Sequence, residues 1–578
     1  MLQSPLYTFS GRAKAVVSKA PGYTTMSVGG TVAGMIRRDS LCAAASGVLL
    51  AAALPNEFIP YGTPLIAPIA LIPLFYALLN SRRLRDSVRI GVIFAVISTG
   101  LSNYWLANFG EFAVWTIGGP IIGYSLYNSL LFPVLQRILQ APARSERVFV
   151  AAAAWAGYEF LKSVGFLGYP WGLISYPAGV YLPLIQHVDI TGVWALSFLF
   201  AAINLLGAEF FYHRESYFRA RLDTTPLETH RHMNIPALPK ALMLRSAGFC
   251  LVLFVLMMAY GLRALNRTVP VQAELQLVMV QNNTDSWERG NEEPSLLVAQ
   301  RLTRRGLRQL APTTPDLIVW SETLLRRPYA LDREYYRYFP SNDPFVPFLA
   351  ETGVPLLTGG PHVERHEDEW LSYNAALLIQ PSGELEHHYG KRQLVPFAEH
   401  IPFWELATVR NFFRDIVGIY GTWTPGPEIT IFELPIQDRD TPLRFATPIC
   451  FEDAFSGVAR AMVREGAEVL INLTNNSWSQ TNSAQTQHFV AAQFRAVEMR
   501  TTLIRSSNSG LSTVVDPHGR RVFELPMFEQ DYYAGSVTVQ QSPHPTIYTQ
   551  WGDYLAWAFL FLVTVVLVVK EYQSRNCS

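Results

Sequence analysis

Eight apolar runs, each close to the length that crosses a lipid bilayer, constrain this chain more than any other feature. A spanning helix needs about 20 mostly apolar residues. Charged residues make up only 16% of the sequence, whereas a typical soluble domain contains about 25%. The pattern therefore predicts a membrane α-helical bundle of about eight transmembrane helices. The runs lie near residues 40–60, 63–80, 89–109, 112–135, 147–163, 188–211, 244–262 and 554–569.

Lysine and arginine alternate between the connections that join these runs. The connections around residues 56–62, 110 and 163–192 contain neither residue type. The other connections are rich in arginine, as in 82–89 and 214–245. Because cytoplasmic loops are the positive ones, both termini are predicted to face the cytoplasm. The long polar region between the seventh and eighth runs is then predicted to lie on the outer side.

The sequence divides into five predicted parts. The first run is not a cleavable signal, since no small-residue cleavage site is evident and six more runs follow it. The predicted parts are an N-terminal tail that is disordered or reflects an over-long start (1–39), seven transmembrane helices (40–262), an outer domain (263–550), the eighth transmembrane helix (551–570) and a cytoplasmic tail (571–578).

The polar region has the pattern of an α/β domain. Short apolar segments bounded by turn residues predict strands at 274–281, 316–321, 355–359, 373–380, 443–449 and 468–473. Longer segments predict helices at 292–311, 344–353, 456–466 and 485–500. Strands that alternate with helices are typical of buried sheets covered by helices.

Cys450 is the only cysteine in the polar region, so that region cannot form an internal disulfide. Such a cysteine is either a small buried hydrophobe or a reactive thiol. The formal net charge of the chain is zero. No bulk positive field is therefore available to recruit nucleic acid, and we expect none as a partner.

Three polar residues at predicted strand ends could act together. Glu322 follows the 316–321 strand, Lys391 lies in YGKRQLVPFAEHIPF, and Cys450 ends the strand that contains LRFATPI. A thiol is a good nucleophile only as thiolate, and a nearby carboxylate can accept its proton. A lysine close to both can stabilise an oxyanion. Each residue alone is more often structural, so the case depends on all three together.

The surrounding segments carry a resemblance. The order WSE, YGKRQLVPFAEHIP, PICFED, NLTNNSW and QHFVAAQFRAVEMRTTLIRSSNSGLSTVVDPHG resembles the nitrilase superfamily. With apolar runs on both sides, the sequence resembles the apolipoprotein N-acyltransferase family over roughly residues 40–570. The resemblance implies a nitrilase-like αββα sandwich attached to the membrane bundle.

Residue roles follow from that resemblance. It implies that Glu322 is the general base, Lys391 the oxyanion-stabilising residue and Cys450 the nucleophile. It also implies that Glu399 and Glu452 are additional site carboxylates. Trp287 resembles a family residue on a loop near the substrate entrance. Phe451 departs from the family, which often has tyrosine there, although its ring can still pack.

The implied reaction is acyl transfer in two steps. Cys450 takes an acyl chain from a membrane phospholipid, and the thioester then acylates the N-terminal amine of a diacylated apolipoprotein. The resemblance implies no cofactor and no metal, and it places a multi-pass protein in the bacterial cytoplasmic (inner) membrane with its catalytic domain outside. We expect a monomer. The alternatives are a membrane-tethered nitrilase with another amine or amide substrate, and an inactive scaffold.

Other polar and aromatic segments are more ambiguous. The motif PHVERHEDEW, with His362 and His366, could bind metal if it were helical, but its position between two predicted strands favours a solvated hairpin loop. Asn472 and Trp478 follow a predicted strand near the expected site and could contact substrate or fix a turn. The segment 410–420 is a candidate amphipathic lid.

Overall fold

The computed structural model describes residues 28–81, 83–109, 112–140, 146–222, 237–284, 288, 290–367, 369–417, 421–437 and 439–576. Most of the predicted N-terminal tail lies outside these residues. The first helix begins at Val28 rather than at residue 40, so residues 28–39 are helical. The last helix continues to Asn576, into the segment predicted as a cytoplasmic tail.

Helices occupy every one of the eight apolar runs. In chain order they are α1 (Val28–Ala53), α2 (Ala67–Ala70), α3 (Ile72–Asn80), α4 (Leu84–Ser102), α5 (Ala113–Leu139), α6 (Glu146–Leu161), α7 (Leu182–Ile185), α8 (Val188–Thr191), α9 (Trp194–Leu222) and α10 (Lys240–Leu265), with the eighth run in the final helix, Tyr554–Asn576.

Length and composition separate these helices into two groups. Among the described residues, three helical segments are long and apolar enough to cross a membrane: Trp194–Tyr217, Lys240–Leu265 and Tyr554–Gln573. Other helices are shorter or less apolar; α6, for example, has only 16 residues and lies buried inside the bundle. The number of eight transmembrane helices therefore stays a prediction.

Two six-stranded sheets form the centre of the polar region, within the residues that the structure describes. The strands are β1 (Val271–Gln281), β2 (Leu317–Val319), β3 (Leu356–His366), β4 (Glu369–Ile379), β5 (Leu385–Gly390), β6 (Phe432–Leu434), β7 (Leu443–Ala446), β8 (Val469–Thr474), β9 (Thr502–Ser507), β10 (Thr513–Val515), β11 (Arg521–Glu524) and β12 (Asp531–Gln540). The strand orders are β12-β1-β2-β3-β4-β5 and β11-β10-β9-β8-β7-β6. Within each sheet the central pairs are parallel and the outer pairs antiparallel.

The remaining helices are α11 (Glu292–Leu310), α12 (Arg333–Tyr336), α13 (Phe345–Thr352), α14 (Ala407–Phe412), α15 (Ser456–Arg464), α16 (Asn482–Met499), α17 (Ile547–Trp551) and α18 (Tyr554–Asn576). Helix α11 packs on β1 and β12 of the first sheet, α16 packs on β9 of the second, and α18 packs on α6 and α9 of the bundle. Alternation along β1 shows the layering, since Leu277 and Met279 pack in the core shared by both sheets whereas Val278 packs with Leu296 of α11. The predicted two-sheet αββα fold is confirmed.

Helix α16 joins the sandwich to the bundle. Every residue from Ser483 to Met499 is buried, although many are polar. The Gln487 amide donates to the carbonyls of Pro55 and Ser102, each at 2.8 Å, at the ends of α1 and α4. Because buried polar groups need partners, these bonds fix how α16 sits on the bundle.

A buried ion pair adds to this junction. Arg500, directly after α16, donates from Nε to Asp189 at 2.9 Å and from its terminal nitrogens to the side chain and carbonyl of Gln186. Tyr260 of α10 also donates to Asp189. One carboxylate therefore ties α8, α10 and the sandwich together.

We expect Asp189→Asn to destabilise the protein, because the substitution leaves Arg500 buried without an opposing charge. Removing one partner of a buried pair costs roughly 3 kcal/mol or more. Thermal unfolding of the detergent-purified full chain measures the effect. The control is Glu571→Gln, which breaks the exposed Glu571–Arg575 pair and should leave the melting temperature almost unchanged. Equal melting temperatures for the two variants would contradict a structural role of Asp189.

Candidate active site

Glu322 lies just after β2, in the space between the two sheets. Its Oε2 accepts the backbone N–H of Asn475 at 2.8 Å, and its Oε1 accepts the Asn374 side-chain amide at 2.9 Å. The Lys391 ammonium lies 3.5 Å from the same Oε1. Glu322 is only 5% exposed. These contacts hold the carboxylate in one orientation, with donors drawn from both sheets.

Lys391 follows β5 and is almost completely buried, with 1% of its side chain exposed. Its Nζ donates to Glu399 at 2.8 Å, and the second oxygen of Glu399 accepts the Val395 N–H at 2.8 Å. Burial alone would lower the pKa of Lys391, but the charges of Glu399 and Glu322 outweigh it and raise the pKa above its ordinary value. The ammonium therefore stays charged.

Cys450 occupies a turn with an unusual backbone. Its φ is 48°, a left-handed conformation that costs a residue with a side chain of order 1–3 kcal/mol. It follows the bridge between Ile449 and Leu473 and begins the 3₁₀ turn Cys450–Ala454. Such strain persists only where neighbouring structure enforces it, and it is common at functional sites.

The thiol of Cys450 is uncharged in the resting protein. Burial raises its pKa, the charge of Glu322 raises it further, and Lys391 opposes the rise without cancelling it. The pKa of Cys450 therefore stands well above its ordinary value. A reaction at this sulfur needs a base that removes the proton as the new bond forms, and Glu322 is the carboxylate with the largest effect on the thiol.

Glu452 anchors the turn that carries Cys450. Its Oε1 accepts the Tyr389 hydroxyl at 3.0 Å and the backbone N–H groups of Arg392 and Gln393 at 2.8 and 3.0 Å. Its Oε2 accepts the Ile449 N–H at 2.8 Å. Glu452 thereby links the segment beside Lys391 to the residue before Cys450.

Phe451 packs against the membrane bundle. Its ring stacks with those of Trp171 and Tyr169 at centroid distances of 5.6 and 6.4 Å. Both partners lie in the connection between α6 and α8. The Phe451 ring therefore packs, as the sequence allows, and its role in the site stays a prediction. Trp478 likewise contacts the bundle, with its ring centroid 4.0 Å from that of Phe109 at an interplanar angle of 33°.

One predicted site residue, Asn472, makes contacts elsewhere. Asn472 is fully buried; its amide donates to the Pro448 carbonyl at 2.9 Å and its oxygen accepts from Thr474. Both ends of the Asn472 side chain are thus used to fix the strand, and a contact between Asn472 and substrate stays a prediction. Trp287 lies outside the residues that the structure describes.

The hairpin prediction also needs correction. PHVERHEDEW is not a solvated loop: β3 runs to His366 and β4 starts at Glu369, so most of the motif is paired strand. The strands extend through it because residue pairs from His362–Tyr373 to His366–Glu369 continue the ladder. His362 and His366 are therefore about 13 Å apart along a strand, too far for one metal ion.

Residues that the sequence did not reveal complete the site. Asn374 of β4 donates to both Glu322 and Glu399, at 2.9 and 3.0 Å. Behind Cys450, His488 of α16 contacts the Cys450 carbonyl at 3.1 Å and Asp453 at 2.7 Å. Asn374 lies in an apolar strand, and no local sequence signal distinguishes it from an ordinary strand residue.

Asp453 is the buried anion of this second network. Burial disfavours the charged form, but the hydrogen bonds and charges of His488 and Arg505 outweigh it and hold the pKa of Asp453 below its ordinary value. The Arg505 Nε donates to it at 3.1 Å. The network supports the Cys450–Ala454 turn from the side that faces α16 and β9.

Comparisons with known proteins agree with this arrangement. A family model described as the N-terminal domain of apolipoprotein N-acyltransferase matches residues 46–206, and one for carbon-nitrogen hydrolase matches residues 291–542. Proteins named apolipoprotein N-acyltransferase 2 from Treponema denticola and Treponema pallidum are 37% and 36% identical to the chain. The alignments cover 91% and 90% of this chain and 96% and 92% of the relatives. The chain belongs to the apolipoprotein N-acyltransferase family.

More distant similarities were also found. The apolipoprotein N-acyltransferase of Borreliella burgdorferi is 31% identical over 91% of this chain and 94% of its own length. Among solved structures, a carbon-nitrogen hydrolase from Helicobacter pylori aligns with 15% identity and a TM-score of 0.32, covering 50% of this chain and 94% of that one.

In this member of the apolipoprotein N-acyltransferase family, we expect Glu322→Gln to make the Cys450 thiol more acidic. The substitution removes the negative charge that raises the thiol pKa, so the thiolate fraction at pH 8 increases. Alkylation of Cys450 by iodoacetamide, followed on the Cys450 peptide by mass spectrometry, should become severalfold faster. Glu384→Gln, at an exposed carboxylate, is the control and should change nothing. Slower alkylation in Glu322→Gln would mean that Glu322 already holds the thiol proton in the resting protein.

We expect Glu452→Gln to destabilise the turn that carries Cys450, because an amide NH₂ would face one of the backbone N–H groups that the carboxylate now accepts. An unsatisfied buried donor costs about 1–3 kcal/mol. Thermal unfolding should show this loss. The matched control Tyr389→Phe removes one hydrogen bond to Glu452 and keeps the three backbone bonds, so its loss should be smaller. A larger loss in Tyr389→Phe would argue against the backbone bonds as the main contribution.

Proposed function

We propose that this chain transfers an acyl chain from a membrane phospholipid to the N-terminal amine of the diacylglyceryl-cysteine of apolipoproteins. The observation that carries the proposal is the placement of Cys450, with Glu322 and Lys391, in a sandwich seated directly on an apolar helical bundle. The names of the Treponema and Borreliella relatives support the acceptor, and the bundle supports a donor that lives in the bilayer.

In the first step, the Cys450 sulfur attacks a phospholipid ester carbonyl while Glu322 removes the thiol proton. The tetrahedral intermediate carries a negative oxygen, and the buried Lys391 ammonium stabilises it. When the ester bond breaks, Glu322 returns the proton to the leaving alkoxide, which departs as lysophospholipid. The acyl chain remains on Cys450 as a thioester.

In the second step, the acceptor amine attacks the thioester carbonyl. Glu322, again a free carboxylate, takes a proton from the attacking amine, and the amide forms as the Cys450 thiolate leaves and is reprotonated. One carboxylate therefore serves both steps, and ping-pong kinetics follow.

Glu399 keeps Lys391 in place, and Glu452 keeps Cys450 in place. All of these residues come from one chain, which supports a monomer as the active form.

We further propose that eight helices span the membrane: α1, α2 with α3, α4, α5, α6, α9, α10 and α18. Apolar side chains on the outside of the bundle support this arrangement. Leu244 is 74% exposed, Leu130 76% and Phe561 72%. Exposed apolar surface of this kind is not stable in water but is well placed in lipid. The short helices α3 and α6 pack inside.

The proposed sidedness, with the sandwich outside and the termini in the cytoplasm, has two supports. The connections without lysine or arginine contact the sandwich, as when the Asn108 amide donates to the Ser479 carbonyl. At the other end of the bundle, Lys570 of α18 contacts the Arg137 carbonyl of α5 and Arg38 pairs with Glu215. Positive residues therefore collect on the side away from the sandwich, as cytoplasmic ends do.

Substrate is proposed to reach Cys450 from the bilayer side of the sandwich. A small pocket of about 30 Å³ in the bundle is lined by Asn103, Tyr124, Lys162 and Trp171, among others, and Trp171 stacks on Phe451 next to the nucleophile. Nearby, α14 presents Phe412 against Trp115 of α5. The predicted lid 410–420 overlaps this helix, although residues 418–420 lie outside the described chain.

We expect the wild-type chain, in nanodiscs with a phospholipid that carries an isotope-labelled sn-1 chain, to gain that chain on Cys450. Intact-protein and peptide mass spectrometry detect the adduct. Adding a synthetic diacylglyceryl-cysteine peptide should move the label to the peptide amine. Cys450→Ser and Glu322→Gln should abolish transfer, and Lys391→Ala should lower it by about 10² or more because an oxyanion-stabilising charge is lost.

Two controls sharpen this experiment. Cys42 lies in α1 of the bundle, so the Cys42→Ser variant should transfer the labelled acyl chain normally. A peptide with an acetylated N-terminus should receive no label. Absence of an acyl-Cys450 adduct would overturn the proposed donor. An adduct that discharges to water or to a small amine, but never to the lipopeptide, would instead favour a membrane-tethered nitrilase with another substrate.

A further inference from the structure

Two histidines and a glutamate meet on the first sheet, away from Cys450. His362 and Glu364 lie on β3, two residues apart and therefore on the same face of the strand. His388 lies on β5. Among the described residues, this is the one group of three or more histidine, cysteine, aspartate or glutamate side chains whose ligand atoms all lie within 4.8 Å of one another.

Strand alternation separates this group from the catalytic cluster. Tyr389, next to His388 on β5, donates to Glu452 beneath the Cys450 turn. Asn374, paired with Pro361 beside His362, donates to Glu322. Since neighbouring residues on a strand point to opposite faces, His362 and His388 lie on the other face of the sheet from these catalytic contacts.

The imidazole rings of His362 and His388 are stacked on each other. Their centroids lie 3.6 Å apart with an interplanar angle of 21°, and the His362 Nε2 lies 3.8 Å from the Glu364 carboxylate. His362 is only 8% exposed. A neutral imidazole ring offers one nitrogen lone pair to a metal ion.

We propose that His362, Glu364 and His388 form a binding site for one Zn²⁺ ion. Two neutral imidazoles and a carboxylate are a ligand set that zinc accepts, with water in the fourth position. Two donors on one tetrahedral zinc ion lie roughly 3.3 Å apart, so small rotations of the stacked rings suffice. Magnesium is excluded by chemistry, because it prefers oxygen ligands in an octahedral arrangement.

Zinc at this site ties the β3–β4 hairpin to the edge strand β5. That connection matters because β5 leads directly into Lys391 and β4 carries Asn374. Tyr373 links the two regions: its hydroxyl hydrogen-bonds to Glu364, and a side chain at Gly390 would touch its ring. The ion therefore stabilises the strands that position the catalytic lysine, without contacting substrate.

Zinc binding to the full-length chain tests this proposal. The protein is purified in detergent, stripped of metal with a chelator and titrated with ZnCl₂ against a chromophoric zinc indicator. After dialysis, the bound metal is quantified by inductively coupled plasma mass spectrometry. We expect one equivalent of Zn²⁺, and a melting temperature that rises by several degrees at about 100-fold excess over Kd. Excess Mg²⁺ should not compete.

Matched variants locate the ion. His388→Ala and the milder Glu364→Gln, at a half-exposed carboxylate, should weaken zinc binding by about tenfold or more, as loss of one ligand predicts. His387→Ala and His366→Ala change exposed histidines on the same strands and should bind zinc like the wild type. Equal affinity in all four variants, or no bound zinc in the wild type, would overturn the site and leave the two rings as a packed pair.

Discussion

A buried ammonium between two carboxylates is the interaction on which the rest of this site depends. Lys391 is 1% exposed and lies 2.8 Å from Glu399 and 3.5 Å from Glu322. A charge of this kind is tolerated inside a protein only when its partners and their remaining hydrogen-bond groups are all satisfied. Asn374, the Val395 N–H and the Asn475 N–H meet that need. The result is a rigid positive charge beside a thiol that is itself neutral.

The same cluster explains why the two sheets must meet at a fixed distance. Glu322 comes from the first sheet, but its Oε2 is held by Asn475, which follows β8 of the second. Glu452 comes from the second sheet, but it accepts N–H groups from the segment after β5 of the first. Each sheet therefore supplies the anchor for a residue carried by the other. A shift of one sheet would break bonds at both points.

Much of this could be predicted from sequence, and the exceptions share a physical cause. The apolar strands β1, β2 and β8 and the helices α11 and α16 were predicted because burial leaves a visible pattern. Strand β5, LEHHYG, was missed because an edge strand with polar residues lacks that pattern. Strand β9, TLIRSS, was missed because its buried polar residues, Arg505 among them, are stabilised by partners that are distant in sequence. Glu322, Lys391 and Cys450 were found through their flanking motifs, whereas the contacts of Asn374 and His488 exist only in three dimensions.

In the proposed reaction, attachment of the sandwich to the bundle lowers the free-energy cost of using a lipid substrate. Moving an acyl chain from a bilayer into water costs about 0.8 kcal/mol of free energy for each CH₂. A soluble enzyme would therefore add a large cost to every turnover. Here Phe451, directly beside the nucleophile, stacks on Trp171 of the bundle, and α16 supports the Cys450 carbonyl through His488 while it hydrogen-bonds to the ends of α1 and α4. The turn that carries the thiol is thus positioned by the helices as much as by its own sheet. In the proposed reaction, Cys450 held in that way would meet an ester near the surface of the bilayer, where the chain need not leave the lipid before the thioester forms.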